Sequence, residues 1–182
     1  MLETVNPKTR SVIYLLITIA AIVGVWFIVK EIRAYIRRNK ARKNPQEVVT
    51  DSLDEYNALV ASGQSLSKPN SDYKAVTNTI ESLLEGCETS GSELNVVENI
   101  ITVIKKPIDW AYLKSEFGVR EISNCGSFGV SKQSYDLPTL LKDQLDSSGI
   151  YSINIDGYKS TGWALETINI LRDYFKTINI TI

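Results

Sequence analysis

Glu116 and Glu121 stand five positions apart on either side of Gly118, next to a Gly- and Ser-rich stretch. Carboxylates so placed are the raw material of a glycosidase, which needs one acid kept protonated in an apolar pocket and a second kept ionised. Two glutamates at the end of a helix are more ordinarily a solvated face. Cys125, in Asn124-Cys125-Gly126, has the chemistry of a nucleophile, but nothing near it in the sequence would lower a thiol pKa. The chain has no histidine, which removes Ser-His and Cys-His pairs and histidine-ligated zinc or iron. No glycine-rich phosphate loop follows a strand pattern. These residues therefore predict no enzyme and no cofactor. Cys87 and Cys125 are the only cysteines, too few for the disulfide framework of a small secreted domain.

The other chemistry-bearing set is basic. Residues 1–46 hold nine Lys or Arg and two Glu, a net +7; residues 47–182 hold eleven Lys or Arg and nineteen Asp or Glu, a net −8. The acidic part would repel a phosphate backbone, so no nucleic-acid partner is expected for it. Arg33, Arg37, Arg38, Lys40, Arg42 and Lys43 cluster directly after an uncharged apolar run, residues 12–29. At about 1.5 Å per residue that run reaches roughly 27 Å, enough for one transmembrane helix. It ends in Trp26-Phe27-Ile28, not in the small residues of a cleavage site. The six basic residues are then candidates for contact with lipid headgroups, and their excess over Lys8 and Arg10 puts the N-terminus outside and the following domain on the cytoplasmic or interior side.

The elements that would position these groups follow in order. Residues 1–11 form a short lead, 12–29 the expected span and 30–44 a basic juxtamembrane helix ended by Pro45. Residues 47–61 place Val49, Leu53, Tyr56 and Val60 on one amphipathic helical face, to be covered by the domain or by a second copy. Residues 62–71, SGQSLSKPNS, read as a linker. Residues 72–182 read as a small all-α domain of five helices. Helix one ends at Gly86; helix two carries Val96, Val97, Ile100, Ile101 and Ile104; helix three opens at Pro107. Residues 118–135 read as a surface loop. Helix four is capped by Asp136 and closed by Gly149. SINIDG is extended and turns at Asp156-Gly157, and the last helix runs from about Thr161 to Phe175 with Trp163, Leu165, Ile168, Ile170, Leu171 and Tyr174 inside.

Leu83-Leu84-Glu85-Gly86 with Thr89, Asp109-Trp110 with Leu113, Phe117 and Gly118, and Asp136-Leu137 with Leu141 and Leu145 resemble a single annexin-type repeat, in the divergent form found in proteins of Bacteroidetes bacteria and their phages. The likeness covers about residues 72–176. Such repeats hold calcium through carbonyls of a glycine-rich turn and a distant carboxylate. Here Glu88 replaces a family glycine and Gln144 stands near the carboxylate position, beside Asp143, which leaves the turn short of ligands for a hard cation.

The expectation from the sequence is a single-pass membrane-anchored structural or adaptor protein, of the kind that links the bilayer of a membrane-containing phage particle to other proteins. Its expected partners are membrane lipid and other proteins of an assembly, or further copies of itself. A membrane-tethered cell-wall lytic enzyme using Glu116 or Glu121 and a calcium-dependent lipid-binding module are the alternatives.

Overall fold

The computed structural model describes residues 44–86, 90–126 and 129–182, together with Tyr14, Thr18, Val25, Val29, Ile32, Ile36 and Asn39. The chain divides into two units, Met1–Arg37 and Arg38–Ile182. In the first, each described residue is helical, and the Thr18 hydroxyl donates to the Tyr14 carbonyl at 2.8 Å.

The second unit runs α1 (Pro45–Ala61), α2 (Asn70–Leu84), α3 (Ser90–Val103), α4 (Pro107–Phe117), β1 (Val119–Gly126), β2 (Gly129–Asp136), α5 (Leu137–Gln144), β3 (Gly149–Ile155), β4 (Tyr158–Ala164) and α6 (Ile168–Thr177). The strands form two separate antiparallel hairpins, β1 with β2 and β3 with β4.

Two expectations are corrected here. The fold is not all-α: residues 118–135 contain the first hairpin, and residues 149–164 form the second, so the last helix starts at Ile168 and not near Thr161. Helix four likewise stops at Gln144, and Gly149 opens β3. The single-pass architecture and its inside–outside orientation are corrected as well, because no helix among the described residues is long and apolar enough to cross a membrane. The expected span, 12–29, lies outside the described residues apart from Tyr14, Thr18, Val25 and Val29. The longest described helix, α1, has 17 residues and carries Glu47, Asp51, Asp54 and Glu55, four charges whose insertion in hydrocarbon would be costly.

The core is built where helical periodicity meets. Tyr73, Ile80 and Leu84 of α2, Val97, Ile100 and Ile101 of α3 with Ile104 just after it, Leu113 of α4, Leu140 and Leu141 of α5 and Phe175 of α6 are wholly or almost wholly excluded from solvent. Each aliphatic side chain so buried is worth about 1.5–3 kcal/mol. Trp110 meets Phe175 at 5.0 Å between ring centroids, tying α4 to α6. Asp136 accepts from the Thr139 amide at 3.0 Å, the N-cap that starts α5.

The α4–β1 junction needs a residue free of Cβ strain. Gly118 has φ +61°, and a side chain there would also approach Val49 of α1 at 3.7 Å. From this junction Arg120 turns back: its guanidinium stacks 4.8 Å from the Phe117 ring, donates to the Thr77 hydroxyl at 3.2 Å and pairs with Glu81. The first hairpin is thereby fastened to α2. A further backbone bond, Gly86 N–H to the Ser123 carbonyl at 2.8 Å, fastens β1 to the end of α2.

Candidate functional site

The second hairpin packs one face toward the domain and leaves the other open. Its register pairs Ile155 with Tyr158 across Asp156 and Gly157, and both turn residues have positive φ, +48° and +88°. That is the two-residue turn whose twist matches the strands, and Asp-Gly is among the sequences that favour it. The inner face carries Ile153, which is buried. It also carries Tyr151, whose ring lies 3.6–3.7 Å from the Cβ position of Gly162 and whose hydroxyl is 3.2 Å from that of Ser160. The Tyr158 ring packs on Tyr174 of α6 at 4.8 Å. At the turn, Asp156 forms an ion pair with Lys105 at 3.0 Å, and that hydrogen bond and charge hold its carboxyl below the usual range.

The outer face carries Ile150, Ser152 and Asn154 of β3 opposite Trp163, Thr161 and Lys159 of β4, in that cross-strand order. All six are exposed. Ile150 is 87% exposed and its partner Trp163 61%, with Leu165 just beyond the strand at 69%. Within residues 44–182 the only other large exposed hydrophobics among the described residues are Leu53 and Val60 of α1. Two open clefts border this patch. One of 320 Å³ runs past Leu94, Gly149, Ile150 and Thr167; the other, of 260 Å³, runs past Trp163, Leu165, Asn169 and Asp173. An indole and two aliphatic side chains on a braced strand pair form a preorganised contact surface.

The residues picked out by sequence fall elsewhere. Arg33, Arg37, Arg38, Lys40, Arg42 and Lys43 lie outside the described residues. Glu116 is half-buried in the last turn of α4, while Glu121 is exposed on β1 opposite Ser134. Neither lines the two clefts. Burial, and after it the charge of Glu116, raises the Tyr112 phenol one turn earlier. Cys125 sits in β1 opposite Val130, and Cys87 lies outside the described residues together with Glu88 and Thr89 of the annexin-like turn. Gln144 is buried, its amide donating to the Tyr135 hydroxyl at 3.4 Å. No group of three or more His, Cys, Asp or Glu among the described residues is placed to hold a metal ion.

Two carboxylates are buried where the sequence alone assigns them no structural role. Asp109 is wholly buried and accepts from the Ser67 amide and hydroxyl at 2.8 and 2.7 Å, the Tyr73 hydroxyl at 2.7 Å and the Lys105 and Lys106 amides at 2.9 and 3.1 Å. Glu93, 2% exposed, accepts from the amide of Ser147 at 3.0 Å and from its hydroxyl. Fully satisfied carboxylates of this kind clamp chain segments together. The available signal was Asp109 at the third helical position after Lys106, where a carboxylate can reach back to the N-cap amide.

Trp163 and Leu165 are the other correction: both were expected inside the last helix and both are exposed on or beside β4. The alternation of Tyr151, Ile153 and Ile155 running into Asp156-Gly157 was the signal for a hairpin. No family model, curated protein or solved structure matches the chain. The annexin-type likeness therefore rests on the residues quoted for it.

Proposed function

We propose that the chain is a structural or adaptor protein and that the outer face of the β3–β4 hairpin is where it engages another protein. The observation that carries this reading is the cross-strand pair Ile150–Trp163, exposed at 87% and 61% on a hairpin whose other face is packed. Interface hot spots are enriched in Trp. An apolar patch held on a rigid strand pair loses little conformational entropy when covered. Leu165 extends the patch, and Ser152, Asn154, Lys159 and Thr161 rim it with groups able to hydrogen-bond.

The test is site-specific photo-crosslinking in cells that make the full chain. A photoreactive residue at position 150 should yield protein adducts that disappear with Trp163→Asp, whereas one at Lys74, exposed on α2, should yield none. Equal labelling from both positions, or none from 150, would overturn the assignment.

A further inference from the structure

We infer that β4 pairs antiparallel with β4 of a second copy of the chain, about a two-fold axis at Thr161. This rests on the interaction reading above and names its first partner.

The hairpin turn decides which backbone groups are free. In a two-residue hairpin the residues flanking the turn, here Ile155 and Tyr158, form a hydrogen-bonded pair, and the pattern alternates along the ladder. Tyr158, Ser160, Gly162 and Ala164 therefore direct their N–H and C=O groups toward β3. Lys159, Thr161 and Trp163 direct theirs away, to the open edge. The sheet has two strands, and among the described residues no backbone hydrogen bond joins β4 to any element but β3. The side chains of the same three residues are exposed. An edge with its donors, acceptors and side chains all open is a template for another strand.

The strand's own sequence selects the occupant. With the axis at Thr161, antiparallel pairing sets Thr161 against Thr161 and Lys159 against Trp163 of the other copy, twice by symmetry. The ammonium meets the electron-rich face of an indole, and all three outward residues become hydrogen-bonded pairs. An axis at Lys159 would put two like charges in direct opposition, which is destabilising. An axis at Trp163 would leave Lys159 beyond the ladder. A lysine on an edge strand commonly deters pairing; here the symmetric register gives it a partner. The β3 edge is the poorer candidate, because α3 packs beside β3.

The test uses the full chain with Cys87→Ser and Cys125→Ser, carrying either Thr161→Cys or Ser152→Cys. Directly opposed residues on paired strands have Cα atoms about 5.5 Å apart, a separation a disulfide spans. Under mild oxidation Thr161→Cys should give a disulfide-linked dimer at least about tenfold faster than Ser152→Cys. In the same cysteine-free chain without either substitution, amide protection at Lys159, Thr161 and Trp163 should rise with protein concentration. Equal cross-linking of the two cysteine variants, or protection at those amides independent of concentration, would overturn the pairing. Specific adducts from position 150 to a different protein would in that event leave the interaction reading standing, so the two failures are distinguishable.

Discussion

At the scale of single residues, buried phenols link parts of the chain that are distant in sequence. The Tyr174 hydroxyl donates to the Ile104 carbonyl and its ring supports Tyr158. Burial first, and then the charges of Asp109 and Asp156, push its pKa up to about 12. In the unfolded chain a tyrosine ionises near 10. The folded phenol is thus raised, so its contribution is complete below pH 10 and is lost as pH climbs through 12, because the unfolded chain releases the proton first. Tyr174→Phe should lose about 1 kcal/mol at neutral pH from the missing hydrogen bond. It should then be spared about 2 kcal/mol of the wild-type decline by pH 12. Urea titrations at pH 8 to 12 measure both, and parallel curves for the two proteins would refute the assignment. Burial at Tyr174 was legible from helical spacing. Its acceptor was not, because Ile104 lies 70 positions away and no local pattern encodes that contact. Trp163 failed for the opposite reason: with Leu165, five and three positions before Ile168, it mimics a helical face while standing on a strand.

Among the elements, those with chemical punctuation at their ends were readable. Pro107 opens α4 and Asp136 caps α5, as their residue types demand. The β1–β2 hairpin was not readable, because Gly126, Gly129 and four serines between Val119 and Tyr135 give the composition of a loop. What makes it a hairpin is tertiary: Ile122 and Tyr135 are buried and Arg120 is fastened to α2. In the second hairpin the turn was evident, but the strand after it was not, since Trp163, Leu165 and Ile168 drew the helix too early. That turn supplies an element-scale prediction. Gly157 has φ +88° with no atom within 4 Å of an added Cβ, so Gly157→Ala meets backbone strain and no clash. It should cost about 1 kcal/mol, measured as a lower urea midpoint with unchanged slope. No loss of stability would show that the turn does not hold this conformation.

For the molecule as a whole, the question is what makes α1 part of the second unit. The helix has no buried residue, and it lies against α4 through contacts that include Tyr56 on Tyr112 at 5.0 Å and the Glu55–Lys114 ion pair. With Glu55 half exposed, the ion pair itself contributes little. The segment after it, which reads as a linker, is instead fixed by Ser67, whose amide and hydroxyl both reach Asp109, and by Leu66, packed against the core. The same carboxylate holds Tyr73 and the start of α4, so one buried carboxylate fastens the connection after α1 to the centre. Ser67→Ala removes one hydroxyl and leaves Asp109 its other donors, a loss of about 1.5 kcal/mol. If the clamp sets the stability of α1, that loss belongs to the local opening of α1 and its connection, not to global unfolding. Amides of α1 should then exchange about tenfold faster in the variant, while those of α3, with Val97, Ile100 and Ile101 in the core, keep their rates. Equal acceleration in α1 and α3 would mean that α1 opens only when the whole unit unfolds.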